Sequence, residues 1–404
     1  MTNAAPARRI SPPEWLQRKD VATLLDALGD GRFVGGVVRD TLLGRPPGDL
    51  DLATPLEPNE VIVRLEQAGI RAVPTGISHG TITAILTDGT PVEVTTLRRD
   101  VETDGRHATV AFTADWAQDA ARRDFTLNAL YLDRAGGIWD PAGGLEDCRA
   151  GRIRFVGEPA RRIAEDVLRI LRFYRFQAHY GRTPADPAAR AACRQGVAGI
   201  ERLAGERLQA ETLKLLAAAD PVPTVRLMIE DGVLELYLPR PFRPDRLAAL
   251  VTVEPAADAL RRLAALLAPG TGPAVAERLR LSSVDRDRLN LLTGPNPIDL
   301  AADDRAQRQA LYRLGPASYR DLMLLAAADQ RSAHRAAALL ALADSWTSPS
   351  LPVAGRDIRA LGIPAGPEVG RLLATLEAWW IEGDFQADRA QCLARLKAIA
   401  ASCP

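Results

Sequence analysis

The chain of 404 residues has no run of about 18 uncharged apolar residues, the length a helix needs to cross a hydrocarbon core, so a membrane span is not expected. Its four cysteines, Cys148, Cys193, Cys392 and Cys403, are dispersed with no C-x-x-C spacing. That argues against a structural zinc site or a disulfide framework and fits a reducing cytoplasm. Arg8-Arg9 stands near the N-terminus, but Ile10-Ser11-Pro12-Pro13-Glu14 follows where a secretory signal needs an apolar run. Formal net charge is zero, so a polyanionic partner has to be gripped by a local basic surface and not by the global field. Lysine occurs only at Lys19, Lys214 and Lys397. The remaining basic residues are arginine, which suits bidentate contacts to phosphates and base edges, although a GC-rich coding bias produces the same excess. No fixed-period repeat and no low-complexity tract is present.

What the chain does have is a run from Gly35 to Asp51, Gly-Gly-Val-Val-Arg-Asp-Thr-Leu-Leu-Gly-Arg-Pro-Pro-Gly-Asp-Leu-Asp. Carboxylates two apart on a strand share a face, so Asp49 and Asp51 point one way while Leu50 and Leu52 point the other. Such a pair suits Mg²⁺, which takes one or two carboxylates plus substrate phosphates. Gly35 and Gly36 leave no Cβ between the backbone and a triphosphate. Together they point to metal-dependent phosphoryl or nucleotidyl transfer; an isolated Asp-x-Asp is equally a turn leading into a strand with a solvated acidic edge. Glu93, in Pro91-Val92-Glu93-Val94-Thr95-Thr96, alternates with valines and supplies a third carboxylate if its strand neighbours Asp51. A two-metal centre, with ions about 3.5–4 Å apart, needs such groups; the alternative is a glutamate facing water on an edge strand.

Two further clusters carry polar chemistry. In Arg122-Arg123-Asp124-Phe125-Thr126-Leu127-Asn128, Arg123 can fork onto a phosphate, Asp124 can accept from ribose hydroxyls, and Asn128 can serve either part of a nucleotide. Asp124 can also be read as a helix cap. In Glu165-Asp166-Val167-Leu168-Arg169-Ile170-Leu171-Arg172, the stripe Ile163, Val167, Ile170, Leu171, Tyr174 predicts a helix with Asp166 and Arg169 on its outward face. They can be an ordinary salt bridge. They can also read a base: cytosine and adenine each offer an amine donor beside a ring-nitrogen acceptor, and guanine and uracil offer the reverse. Exchanging the two side chains on a rigid face would then reverse the preference.

Helical spacing covers Trp15 to Leu28. Short β-rich runs are predicted at Arg32–Val34, Asp49–Ala53, Thr81–Leu86, Val92–Thr96 and Ala129–Asp133. From Pro159 onward the pattern is helix after helix, broken by Pro/Gly clusters at Pro221–Pro223, Pro239–Pro244, Pro269–Pro273, Gly294–Pro297 and Pro349–Gly355. The expected fold is an α/β head followed by an all-α extension.

All three clusters, in this order, resemble the class II tRNA nucleotidyltransferases, the CCA-adding family of the polymerase-β nucleotidyltransferase superfamily. The resemblance is most specific from Phe33 to Phe176; farther on, Gly355 to Pro367 is similar to the family's tail. It implies a mixed-sheet catalytic head at 1–137, a neck with a nucleotide-templating helix at 138–219, a helical body at 220–292 and a tRNA-binding tail at 293–404. It implies Asp49, Asp51 and Glu93 as catalytic residues, with Asp49 and Asp51 on Mg²⁺ in a two-metal centre. Gly35, Gly36, Arg39, Arg123, Asp124 and Asn128 would bind the triphosphate and sugar. Asp166 and Arg169 would be the protein template for the base, with Glu165 as their support and Arg172 matching a further arginine of that helix. The stretch Thr96–Val110, with Arg98, Asp104, Gly105 and Arg106, matches the flexible loop used to change from C to A addition. Thr75–Thr83 resembles the CCA-adding branch more than bacterial poly(A) polymerases. None of His79, His107, His179 and His334 is followed by aspartate, so the phosphohydrolase domain that some members append is not expected. The implied partners are tRNA, CTP and ATP. The rival expectations are a poly(A) polymerase or A-adding enzyme with the same head, and a non-catalytic tRNA-binding protein.

Overall fold

The computed structural model describes residues 5–103, 108–182 and 184–401. The head carries strands Arg8–Arg9 (β1), Arg32–Val34 (β2), Leu50–Thr54 (β3), Arg71–Gly76 (β4), Thr81–Ile85 (β5), Pro91–Thr96 (β6), Arg98–Thr103 (β7), Ala108–Phe112 (β8), Tyr131–Leu132 (β9) and Gly137–Trp139 (β10). Helices Lys19–Leu28 (α1), Gly36–Leu42 (α2), Pro58–Gln67 (α3), Trp116–Ala121 (α4) and Gly144–Ala150 (α5) accompany them. Among the described residues one sheet runs β1-β10-β9-β2-β3-β6-β5-β4, and β7 pairs with β8 apart from it.

Period-two alternation decides which face is buried. Leu50, Leu52, Val92 and Val94 are buried on β3 and β6, and Leu52 lies against the α1 side of the sheet near Leu25 and Leu28. Burying each such side chain contributes about 1.5–3 kcal/mol. Asp51 and Glu93 take the alternate positions. The β3–β6 pair is the sheet's parallel pairing, in register Asp51↔Glu93, while β5 lies antiparallel to β6 with Thr83↔Glu93. The helix expected from Trp15 to Leu28 is divided: a 3₁₀ turn at Glu14–Gln17 precedes α1. Arg18 between them is extended and its guanidinium reaches both Asp20 at 2.6 Å and Asp88 at 2.8 Å.

Helices then follow without strands: Pro159–Glu165 (α6), Leu168–Tyr180 (α7), Pro187–Gly196 (α8), Gly205–Leu216 (α9) and Val222–Glu230 (α10). The helix expected to run through Asp166 is interrupted there, because Asp166 is extended at φ −154°, ψ 109°. The Pro/Gly clusters fall between helices or run into the first turn of the next one, as at Val222, Pro244, Gly272 and Gly355. The chain separates into two compact units, one of residues 1–238 with 278–280, the other of 239–277 with 281–404.

The second unit holds Pro244–Val253 (α11), Ala259–Leu266 (α12), Gly272–Arg278 (α13, whose last residue belongs to the first unit), Ser283–Thr293 (α14), Asp304–Leu314 (α15), Pro316–Gln330 (α16), Ala333–Ser345 (α17), Gly355–Arg359 (α18), Pro367–Glu382 (α19) and Arg389–Ala401 (α20). From Asp321 to Ala328 every residue of α16 is buried, as expected of a helix at the centre of its unit. No helix among the described residues is long and apolar enough to cross a membrane. The described cysteines Cys148, Cys193 and Cys392 are free and buried.

In the first unit α7, α8 and the end of α10 meet on one buried carboxylate. Asp231 accepts from the Tyr174 hydroxyl at 2.7 Å, Arg190 at 2.7 Å and Arg194 at 2.9 Å. Asp231→Ala would leave the tyrosine hydroxyl unsatisfied, remove the Arg194 pair and leave Arg190 with only Glu230 at 3.3 Å. The expected loss is about 2–4 kcal/mol, reduced from the fully buried case because Arg194 is half exposed. Urea denaturation read by circular dichroism checks this; a loss below about 0.5 kcal/mol, the level of an ordinary surface substitution, would remove Asp231 from that role.

Candidate active site

Gly35 ends β2 with φ 74°, a conformation that favours glycine. The chain turns there into α2, and the Gly35 amide donates to Leu130 O at 3.4 Å. With β2 antiparallel to β9 in register Val34↔Tyr131, the glycine turn lies beside the segment that follows Arg122-Arg123-Asp124. A Cβ on Gly35 would come within 3.7 Å of Arg123 Nη1 and 3.9 Å of Asn128 O. The turn, Arg123 and the Asn128 backbone therefore meet, and Arg123 is close enough to Asp51, on the neighbouring interior strand, to act on its charge.

Asp51 is half-buried there, and burial together with the neighbouring charges of Glu93 and Asp49 pushes its carboxyl up to about 6, against the opposing pull of Arg123. Asp49, just before β3, is exposed, as is Glu93. The third carboxylate expected from Glu93 is thus adjacent to Asp51. Among the described residues no three or more His, Cys, Asp or Glu side chains converge as a complete metal cage. Oxygen donors of this kind fit Mg²⁺, which keeps waters and substrate phosphates in its shell.

One residue that the sequence reading passed over organises the second cluster. Asp119, on α4, is buried and takes Arg122 at 2.6 Å, Arg123 at 3.0 Å and the Tyr131 hydroxyl at 2.8 Å. The signal was present in the i,i+3 and i,i+4 spacing of Asp119 to the two arginines. Arg162 donates to the backbone carbonyls of Arg122 and, at 2.8 Å, Arg123. Asp124 is not a simple helix cap: it accepts from Phe125 N at 2.8 Å, Asn128 Nδ2 at 3.0 Å and Arg172 Nε at 2.9 Å. Burial would raise its pKa, but Arg172 and Asn128 hold it below the usual carboxylate range. Arg39 is turned inward, donating to Asn128 Oδ1 at 2.8 Å and the Tyr180 hydroxyl at 2.6 Å.

At the third cluster, Asp166 and Arg169 are not each other's salt-bridge partner. Asp166 caps the start of α7 by accepting from Leu168 N at 3.1 Å and is paired with Arg207 at 2.7 Å. Arg169 donates through Nη1 to Glu165 at 2.6 Å and to Arg162 O at 2.7 Å, so Glu165 contacts Arg169, whereas the partner of Asp166 is Arg207. A simple exchange would set an arginine against Arg207 and an aspartate against Glu165; the pair reads as a face only in its present order. Arg172 and Arg175 continue along α7, and Arg175 is held by Glu211 at 2.8 Å. Arg98 begins β7, its guanidinium on His79 O, whereas Asp104, Gly105 and Arg106 lie outside the described residues.

Carboxylates in register on a mixed sheet, beside a glycine turn and a cluster of anchored arginines, define a nucleotidyltransferase head. The poly A polymerase head domain matches residues 31–154, and the probable RNA- and SrmB-binding site of polymerase A matches residues 185–241. The chain is 33% identical to the mitochondrial CCA tRNA nucleotidyltransferase 1 of Homo sapiens, over 91% of this chain and 86% of that protein. It is 30% identical to the CCA-adding enzyme of Limosilactobacillus fermentum over 93% and 95%. The crystal structure of the Bacillus stearothermophilus CCA-adding enzyme in complex with CTP superposes with a TM-score of 0.80 at 27% identity, covering 97% of this chain and 99% of that one. The chain belongs to the family of CCA-adding enzymes, the CCA tRNA nucleotidyltransferases.

Burial alone would raise the pKa of Asp119, yet Arg123, Arg122 and Tyr131 bring it down to about 2 from an ordinary 3.8. A depressed folded-state pKa means that ionised Asp119 stabilises the protein above about pH 4, and that this is lost as pH falls toward about 2. Asp119→Asn should therefore lower stability at neutral pH by about 2 kcal/mol or more and flatten the acid limb in that window. Denaturant midpoints measured from neutral pH down to the acid limit check it; an unchanged acid limb would contradict this account.

Proposed function

We propose that this chain extends the 3′ end of tRNA with C, C and A, using CTP and ATP, no nucleic-acid template, and releasing pyrophosphate. The observation that carries the reading is the Asp51–Glu93 register beside the glycine turn, within a chain whose relatives over most of its length are CCA-adding enzymes. In this proposal Asp49 and Asp51, with Glu93 adjacent, hold Mg²⁺ in a two-metal centre. Bound there, it would supply the Lewis acidity that lowers the pKa of the attacking hydroxyl and neutralises charge developing on the phosphate.

The Cβ-free backbone of Gly35 and Gly36 lets the triphosphate approach, and the guanidinium of Arg123 receives it and orients it for in-line attack by the RNA 3′-hydroxyl on the α-phosphorus. Asp124 and Asn128 face the sugar, with Arg39 and Arg172 as positioning residues that fix Asn128 and Asp124. Asp166 accepts from the exocyclic amine of cytosine or adenine, and the remaining donors of Arg169 meet the ring nitrogen. Each carboxylate oxygen of Asp166 keeps acceptor capacity beyond the bond it already makes. Arg98 with Asp104, Gly105 and Arg106 forms the element that switches from C to A. Residues 138–219, 220–292 and 293–404 act as neck, body and tail, and the tail holds tRNA by backbone and shape. The compartment is the cytoplasm, consistent with free, buried thiols.

Incubating tRNA that lacks its CCA end with CTP and ATP, singly and together, tests the reaction. Three added residues with both nucleotides are expected, and a long A tail with ATP alone would favour the poly(A) polymerase reading. Asp51→Ala should reduce addition by several orders of magnitude while tRNA still binds; near-normal turnover would remove Asp51 from the metal site. Asp166→Ala should cut the ratio of kcat/KM for CTP over UTP about tenfold or more, the worth of one good bidentate contact. Some overall rate would be lost as well, because Arg207 loses its partner. An unchanged ratio in a folded protein would leave Asp166 as a structural cap of α7.

A further inference from the structure

The open face of the head sheet carries a row of hydroxyls that none of the three clusters uses. Cross-strand partners share a face, and the register sets Glu93 against Thr83 and Thr95 against Thr81, with β4 following β5 at the edge of the sheet. Thr75 of β4 reaches Thr83, the two hydroxyl oxygens lying 2.8 Å apart, and those of Thr81 and Thr95 lie 3.2 Å apart. Asp51, Glu93, Thr83 and Thr75 thus form one line across neighbouring strands, from β3 through β6 and β5 to β4.

On the buried face of the same sheet threonine is spent on the backbone. The Thr96 hydroxyl donates to Leu56 O at 2.8 Å, and Thr54 Oγ1 accepts from Leu56 N at 3.3 Å. On the open face the threonines bond to each other. A hydroxyl has a single proton and two lone pairs. The Thr75–Thr83 bond uses the proton of one partner and a lone pair of the other, so the second proton and the remaining lone pairs are left for an outside group. Thr83 is buried beside Glu93, and Thr75 is exposed.

The position of this row decides what can reach it. Gly35 ends β2 and Arg123 stands beside it, so the groups assigned to the triphosphate occupy the β2 side of Asp51. In the order β9-β2-β3-β6-β5-β4 the threonines occupy the other side, beyond Glu93. An in-line displacement sets the attacking and leaving oxygens roughly opposite each other across the α-phosphorus. With pyrophosphate leaving toward Arg123 and the glycine turn, the attacking RNA end comes in over β6 and β5. Neighbouring strands lie about 4.7–4.9 Å apart, so a ribose whose 3′-oxygen is at the Asp51–Glu93 carboxylates brings its vicinal 2′-hydroxyl over the threonine row.

We propose that Thr75 and Thr83 seat the terminal ribose of the acceptor strand by hydrogen bonding its 2′-hydroxyl, so that the enzyme extends an RNA end in preference to a DNA end. This rests on the CCA-adding reading above for the reaction and its acceptor. The 2′-hydroxyl is both donor and acceptor and is what distinguishes RNA from DNA at a given site; a pair of hydroxyls with a proton and lone pairs to spare matches it either way round.

The test uses the full chain and two tRNAs lacking the CCA end, identical except that the 3′-terminal nucleotide of one is 2′-deoxy. The unmodified protein should use the ribose end about tenfold better in kcat/KM, near the upper worth of one neutral hydrogen bond. Thr75→Val/Thr83→Val removes both hydroxyls and keeps branched, strand-forming side chains. It should lose that factor on the ribose end, so that the two tRNAs are used alike. Thr75→Ser, which keeps the exposed hydroxyl, should retain the preference. A purely structural role would lower both tRNAs by the same factor and leave the ratio where it was, which would overturn the seat; so would equal use of the two tRNAs by the unmodified protein. Either result with C, C and A still added leaves the enzymatic reading standing. If the unmodified protein adds no nucleotide, that reading fails, and the Kd values of the two tRNAs decide the seat. Weaker binding of the 2′-deoxy end, with the difference abolished in the double variant, supports it, and equal Kd values refute it.

Discussion

The arginine and carboxylate side chains of the first unit form a relay on which the proposed nucleotide site depends. It starts at the buried Asp119, which sets Arg122 and Arg123, and crosses the backbone to Asp124. From Asp124 it branches, through Asn128 to Arg39 and through Arg172 to α7. Arg175 on the next turn is held by Glu211 of α9. The residues assigned to phosphate and sugar are thus parts of one hydrogen-bonded framework, while Arg169 is held separately by Glu165 and Asp166 by Arg207. A bidentate contact demands angular precision that a flexible guanidinium lacks, and a fixed partner behind each group supplies it before substrate arrives.

Some of the arginine is used inside. Arg32 lies between the rings of Trp116 and Trp139 at 4.1 and 4.0 Å, and in the second unit Arg261 joins Glu254 at 2.7 Å to Asp321 at 2.9 Å. Burying a charge costs heavily unless hydrogen bonds meet it. A planar fork of donors can satisfy two carboxylates at once, and an ammonium group cannot do so in a fixed plane. Coding bias can fill a surface with arginine, but it does not place partners at both ends of a buried one.

The orientation of Asp51 and Glu93 was legible in the sequence because alternation is a strict rule of strands: Leu50, Leu52, Val92 and Val94 go inward, so each acid faces away from the core, while the pairing that makes their strands neighbours is a tertiary feature that alternation does not encode. The interruption at Asp166 was not legible. Ile163, Val167 and Ile170 keep helical spacing across the break, and what stabilises it is Arg207, distant in sequence and on another helix. The pairings of β1 with β10 and of β4 with β5 were missed because such short or polar strands owe their existence to neighbours more than to their own residues. Asp119 could have been found from its spacing to Arg122 and Arg123; its burial could not.

The parallel pairing of β3 with β6 places Asp51 and Glu93 just beyond the turn that leads into β6. No tight hairpin links β3 to β6, whereas β5 runs antiparallel to β6 and joins it through the Leu86–Thr90 turn. That turn is fixed by Asp88, which accepts from Thr90 N at 2.9 Å and pairs with Arg18 at 2.8 Å. A slip of one residue on β6 would rotate Glu93 into the core and present a valine to Asp51. The position of Glu93, in the first half of β6, is therefore gauged from its own end of the strand, by a surface aspartate outside the carboxylate pair.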